Sequence, residues 1–253
     1  MGIQLHQPAK ALSIAADTRG ELATVRIGYQ DSWTETDFPC TRLVIAAGAW
    51  STQVFLELFR PNAVAPEVGH LAGYSILVRE PELDADQQAK DTSETCHGLY
   101  CAGDEFTPYV FSRLGGGIYV AGLNPPDTPL PLLLTPDPVI PSEVSRKLEE
   151  TATAYITTSP SKQQGSASHQ VIRRSLCFRP VTASGLPILG RVPDKNLGSG
   201  MTTRPDSHGG VFFAAGHGSW GISLCLGTGK VMSELMQGRR VSVDIRALGI
   251  REV

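Results

Sequence analysis

The residues best suited to chemistry lie between Val211 and Leu235, VFFAAGHGSWGISLCLGTGKVMSEL. An apolar run, Val211–Ala215, reads as a buried strand, and Gly216, His217, Gly218, Ser219, Trp220 and Gly221 make a tight turn. A helical pattern follows over 222–237 and stops at Gly238. Strand, glycine turn and helix together offer bare backbone N–H groups and a positive dipole end to an electron-rich ligand. The spacing Gly216-x-Gly218-x-x-Gly221 matches the dinucleotide-binding fingerprint. That fingerprint requires a second strand ending in an acid and then further strand–helix units. Val241–Val243 with Asp244 imitates the second strand, but only nine residues follow it. The turn therefore reads as the closing element of a site that other segments build.

Several elements must position this turn. Segments 2–14 and 22–29 read as short strands around a turn over Asp17–Glu21, where Gly20 supplies the reversal. Arg42–Ala47 is a continuous apolar run, the pattern of a strand buried on both faces. Gly48-Ala49-Trp50 follows, and Ser51 is placed to cap a helix over 52–60 that Pro61 ends. Between about 66 and 125 the pattern changes to short alternating strands: Tyr74–Arg79, Leu99–Ala102, Tyr109–Leu114 and Gly117–Leu123. Gly115-Gly116-Gly117 reads as the hairpin turn between the last two. The polar segments Asp84–Glu94 and Lys162–Ser168 read as loops, and the proline-rich stretch Asn124–Pro141 as a rigid crossover. A helix runs from Ser142 to about Tyr155, and a strand with a turn-rich tail occupies 169–191. The order predicts an α/β (mixed α+β) fold, in which strand–loop–helix units at both ends bracket an antiparallel sheet.

Composition narrows the function classes. Hydrophobic content of 41% and charged content of 19% are ordinary for a globular protein. A net charge of -3 leaves no footprint for nucleic acid or an anionic membrane surface. Cys40, Cys96, Cys101, Cys177 and Cys225 form no C-x-x-C and no zinc spacing, so we expect no metal and a reducing, cytoplasmic setting. No apolar run reaches the ~20 residues of a membrane span. The N-terminus lacks a signal-peptide core, and His6 stands where a myristoylation motif wants Ser or Thr. Arg251-Glu252-Val253 is not a peroxisomal address.

Three ordered segments carry a family resemblance: LVIAAGAWS (43–51), CFRPVTASGLPILGR (177–191) and the glycine-turn segment 211–235. They resemble FAD-dependent oxidoreductases of the D-amino-acid oxidase, glycine oxidase and sarcosine oxidase type. TPYVFSRLGGGIYVAGLN (107–124) is similar to the substrate-domain hairpin of that family. The resemblance implies a partial FAD-binding domain over 1–62, a substrate domain over 63–176, and a return to the FAD-binding domain over 177–253. The first and last of these form the C-terminal portion of a Rossmann-like flavin-binding domain; the middle is an antiparallel-sheet domain. It implies FAD as cofactor, with the last glycine turn beside the pyrimidine edge of the flavin. On this reading Ala46, Ala47, Gly48 and Trp50 line the cofactor, together with Gly216, Gly218, Ser219, Trp220, Gly221 and Ile222. Ala11 is where a strand backbone meets the adenine, and Cys177 is where some relatives attach flavin through a thioether. A buried, inert thiol is the alternative for Cys177.

The resemblance also implies the residues of the reaction. Arg179, in R-P-x-T, pairs with a substrate carboxylate; a planar fork of constant charge suits that task. Its alternative is to bond loop carbonyls, and Arg173 and Arg174 read as surface charge. Tyr109 is expected to line the substrate pocket and His217 to sit beside the flavin; otherwise they are a sheet residue and a turn residue. The implied function is oxidation of the C–N bond of an amino acid, or a secondary amine bearing a carboxylate, by hydride transfer to flavin. The partner is then a small-molecule amine or amino-acid substrate. The family's opening strand and G-x-G-x-x-G do not precede Gly2. We therefore expect a chain truncated relative to its family, with a non-catalytic interaction, trafficking or regulatory protein as the alternative.

Overall fold

A computed structural model describes residues 2–79, 96–102, 106–113, 116–132, 140–156 and 169–250. The loops read at Asp84–Glu94 and Lys162–Ser168 lie outside these residues, as do Leu114, Gly115, 133–139 and the C-terminal tripeptide. The chain divides into two compact units, Met1–His70 with Arg179–Val253, and Leu71–Phe178.

The first unit contains two small sheets. Strands β1 (Ala9–Ala16), β2 (Leu22–Tyr29) and β3 (Glu35–Pro39) form an antiparallel meander. Residues before Ala9 are not in the strand expected over 2–14. The turn between β1 and β2 is held by Asp17, whose carboxylate accepts the backbone N–H groups of Arg19 and Glu21. Apolar periodicity missed β3, which has one large hydrophobe, Phe38. Cross-strand charge pairing stabilises it instead: Arg26 on β2 bonds Asp37 at 2.7 Å and approaches Glu35 at 3.8 Å.

The second sheet has the order β10 (Ile188–Arg191), β11 (Gly210–Ala215), β4 (Arg42–Ile45). β11 pairs parallel with β4, in the register Val211↔Leu43, Phe212↔Val44 and Phe213↔Ile45, and antiparallel with β10. Helix α1 (Ser51–Phe59) packs on one face, where Phe55, Leu58 and Phe59 meet Ile45, Val211, Phe213 and Ala215. The C-terminal half of a long helix over Gly221–Met236 covers the other face, where Met232 meets Phe212 and Leu189. The expectation that Arg42–Ala47 is buried on both faces fails. β4 is an edge strand in this sheet, and Val44 is 36% exposed on the Phe212 face. Ser51 is also not a cap. It is the first residue of α1, its side chain makes no capping bond, and Trp50 holds the cap position.

The second unit centres on a five-stranded sheet, ordered β6 (Gly98–Tyr100), β7 (Tyr109–Arg113), β8 (Gly117–Leu123), β5 (Gly69–Arg79), β9 (Gln170–Val181). β5 and β9 carry the chain into and out of this unit. β7 pairs antiparallel with β8, with Arg113 opposite Gly117, while Leu114 and Gly115 between them lie outside the described residues. Helix α2 (Ser142–Ile156) lays Leu148 and Ala152 on Tyr74, Ile76, Val78, Val110 and Val120. Burial does not alternate simply along these strands: β5 is buried over much of its length, whereas β6 is exposed throughout.

Candidate active site

β4 and β11 end side by side, and each runs into the same kind of turn. After β4 the chain reads Ala46-Ala47-Gly48-Ala49-Trp50; after β11 it reads Gly216-His217-Gly218-Ser219-Trp220. Gly48 and Gly218 both have φ of +57°, a conformation that L side chains rarely adopt. In each turn the tryptophan N–H bonds three residues back, Trp50 to the Ala47 carbonyl at 3.1 Å and Trp220 to the His217 carbonyl at 3.0 Å. Helices follow at once: α1 from Ser51, and α3 (Gly221–Met236). A pair of parallel strands thus delivers two helix N-termini at the carboxyl ends of neighbouring strands, the end of open α/β sheets at which ligands bind. The shared G-x-W at 48–50 and 218–220 was visible in the sequence as a signal for this pairing.

Both N-termini are open to a ligand. Neither helix has a side-chain hydrogen bond at its N-cap. A Cβ built on Gly48 or Gly218 meets nothing within 4 Å, so the space beside each backbone is free. Ser51 Oγ, at the start of α1, is fully buried and has no hydrogen-bond partner. Gly216 has the opposite surroundings. Its φ is +88°, and a Cβ there would stand 2.5 Å from Thr182 Cγ2. Thr182 is braced in turn by a 2.7 Å bond from its hydroxyl to the Leu186 carbonyl. Thr182 and Ile188 also line a groove of about 710 Å³ with Pro66, Pro187 and Leu248.

His217 lies on the turn but faces along α3. Its Nε2 is 3.0 Å from Thr228 Oγ1, and burial pushes its pKa below the usual imidazole value. The neutral ring therefore ties the turn to the helix, through a threonine that sequence reading did not single out. Gly238 ends α3 at φ +66°, with its N–H on the Leu235 carbonyl and that of Arg239 on the Glu234 carbonyl, a Schellman closure. Val241–Val243 forms no strand; Glu234 accepts both the N–H and the hydroxyl of Ser242 there. The imitation of a second dinucleotide-binding strand is therefore absent, and the Gly216–Gly221 turn does not open such a unit.

The remaining expected residues are distributed over both units. Ala11 lies half-buried on β1, in the first unit with both turns, and packs on the α1 core. Ala46, Ala47 and Trp50 belong to the β4 turn, while Ser219, Trp220 and Ile222 are exposed on the β11 turn and α3. Arg179 is half-buried near the end of β9 and falls in the first unit. Cys177 and Tyr109 belong to the second unit. Cys177 is exposed, contrary to the buried alternative, and its Sγ lies 3.4 Å from the Gly73 carbonyl. Tyr109 is half-buried in an aromatic group with Tyr100 and Phe111, ring centroids 6.2 and 5.6 Å away. Arg173 and Arg174 are exposed, and Arg174 pairs with Glu149 at 2.7 Å. Among the described residues no helix is long and apolar enough to cross a membrane.

Comparison with known proteins identifies the family. The family description "FAD dependent oxidoreductase" (DAO) matches residues 1–235. A Schizosaccharomyces pombe protein named as a putative oxidoreductase is 28% identical over 216 residues, which are 82% of this chain and 45% of that one. A D-amino acid dehydrogenase of Bradyrhizobium diazoefficiens is 25% identical over 210 residues, 82% of this chain and 39% of that protein. The chain thus spans less than half the length of these curated relatives. Among solved structures, glycine oxidase from Geobacillus kaustophilus has a TM-score of 0.62 at 19% identity, covering 99% of this chain and 54% of the oxidase. That likeness shows a shared mixed α/β fold. The residues at the two turns suit an FAD, because glycines with free space and uncapped helix ends are what a close, electron-rich ligand needs. The chain belongs to the DAO family of FAD-dependent oxidoreductases.

Proposed function

We propose that the protein serves oxidation of a C–N bond in an amino acid, or in a secondary amine bearing a carboxylate. The observation that carries this reading is the paired glycine turn: two uncapped helix N-termini at the ends of adjacent parallel strands, in a chain of the DAO family. FAD, when bound, supplies the hydride acceptor. The unit Met1–His70 with Arg179–Val253 serves the cofactor, and Leu71–Phe178 serves the substrate. The turn N–H groups other than those of Trp50, Ser51 and Trp220, which bond within their own turns, stabilise negative charge brought against them, with each helix dipole adding ~0.3–2 kcal/mol. Arg179 holds the substrate carboxylate through its planar fork. His217, kept neutral by burial, holds the turn on α3 and adds no cation. Ala11, the Ala46–Trp50 segment, Ser219, Trp220 and Ile222 complete the cofactor seat, Tyr109 lines the substrate side, and Cys177 is the position for a thioether.

A visible spectrum of the purified chain after addition of FAD tests this reading. Flavin that co-elutes with the protein and bleaches anaerobically with glycine, a D-amino acid or an N-methyl amino acid supports it. Co-eluting flavin that no amine bleaches, or a colourless protein, rejects catalysis by these 253 residues and favours the alternative of a non-catalytic interaction protein. The observation favouring that alternative is the bare apolar half of α3, where Ile222 is 92% and Leu226 85% exposed. Yellow colour that persists on the acid-denatured polypeptide identifies a thioether at Cys177; its loss on denaturation rejects one.

A further inference from the structure

The sheet of the second unit presents two chemically different faces. Ile76, Val78, Val110 and Val120 point to α2, with Ile118 beside them. The alternate residues of the same strands point the other way. In the register of β7, β8 and β5, Arg113 stands opposite Gly117, and Gly117 opposite Arg79. These three make one row across the face turned from α2; the next row is Phe111, Tyr119 and Leu77. Gly117 is buried, and a Cβ there would stand 3.3 Å from Leu77 Cδ1 and 3.6 Å from Arg113 Cβ. Two arginines on strands about 10 Å apart, two strand spacings, thus flank a position that has no side chain. Among the described residues no carboxylate pairs with either of them. The Arg113 guanidinium lies over the Tyr119 ring, 5.0 Å from its centroid. Arg79 is half-buried, and its Nε is enclosed without a hydrogen-bond partner. An enclosed, unsatisfied donor on a charged group is rare and costly, and a second unpaired cation in the same row adds repulsion.

We infer that Arg79 and Arg113 hold a phosphate group over Gly117. Donor geometry selects the class of anion. Each guanidinium carries a planar fork of N–H donors, and the two stems rise from strands on either side of β8. A carboxylate offers one planar edge and fills one fork, whereas a tetrahedral phosphate has separate oxygens for both. Two fixed positive charges also match the roughly −1.5 to −2 charge of a phosphate monoester at neutral pH. Gly117 leaves the room, because a larger residue at the centre of the row would stand between the arginines. The Tyr119 ring holds Arg113 in place before the anion arrives, which lowers the ordering cost of binding. These residues have no part in the proposed oxidation, and all of them lie within the second unit, whereas Arg179 belongs to the first.

Calorimetric titration of the purified chain with inorganic phosphate, at neutral pH and constant ionic strength, tests the site. One phosphate per chain is expected. Arg79→Gln and Arg113→Gln should each weaken it at least about tenfold, the loss of one charged fork. Gly117→Ala keeps both charges but narrows the recess, and should weaken binding as well. Arg113 is exposed, so Arg113→Gln should melt at the parent's temperature without phosphate, and it carries the test if another variant fails to fold. Absence of phosphate binding overturns the inference, as does binding that survives Arg113→Gln. Equal displacement of phosphate by chloride overturns it in favour of general charge attraction, and equal affinity for malonate overturns phosphate as the class. Binding lost in Arg179→Ala but kept in Arg113→Gln also overturns it, and supports instead the carboxylate role proposed for Arg179.

Discussion

Gly216 and Gly218 are two residues apart and have similar backbones, yet substitution separates their roles. Gly216→Ala forces a Cβ into Thr182 at φ +88° and should lower the melting temperature by several degrees, from ~1–2 kcal/mol of left-handed strain plus the clash. Gly218→Ala meets no atom, so it should cost only the backbone strain, yet on the proposed function weaken flavin binding by placing a methyl where the cofactor approaches. Thermal melts with and without FAD check both. His217 sets a pH dependence. Burial lowers its folded pKa, so below about pH 6.5 the unfolded chain binds the proton first and the folded state loses stability as pH falls. Urea midpoints at pH 7.5 and 5.5 should differ less for His217→Gln than for the parent. On the proposed function, Arg179→Ala removes a charge-assisted fork of ~1.5–3 kcal/mol, so binding of a carboxylate substrate should weaken ~10- to 100-fold. Titration of the flavin-loaded protein with a carboxylate ligand measures it.

At the scale of elements, β11 holds the first unit together. It lies between β10 and β4, Phe213 points at α1 and Phe212 at α3. Phe213→Ala, at a fully buried position, should destabilise by ~3–5 kcal/mol, read from denaturant unfolding. The equivalent change at Val44 should be nearly silent, since its face is already open to solvent. These two strands also show what the sequence made legible. The VFFAA run of β11 is buried on both faces as its composition implies, because α1 and α3 both cover it. The LVIAA run is equally apolar but not equally buried, because it is the edge of its sheet among the described residues. Apolar content records what a strand is suited to, while its neighbours decide what covers it.

For the whole molecule, the alternation of patterns along the chain was enough to give the mixed α/β class and most elements, and three short segments identified the family. Glycine spacing located the turn after β11, because glycine adopts the positive φ found there at least cost. Its pairing with the turn after β4 depends on hydrogen bonding between strands 165 or more residues apart in sequence, which no local pattern encodes. The same holds for the Thr182 brace on Gly216 and the Thr228 contact of His217: these are ordinary threonines until packing brings them to the turn. The sequence by itself determined which backbone could approach a ligand closely, since that follows from residue type and local sterics. Only the tertiary structure decided that two such backbones meet at the carboxyl ends of neighbouring strands, and that half of α3 is left uncovered among the described residues, since both depend on contacts made across the chain.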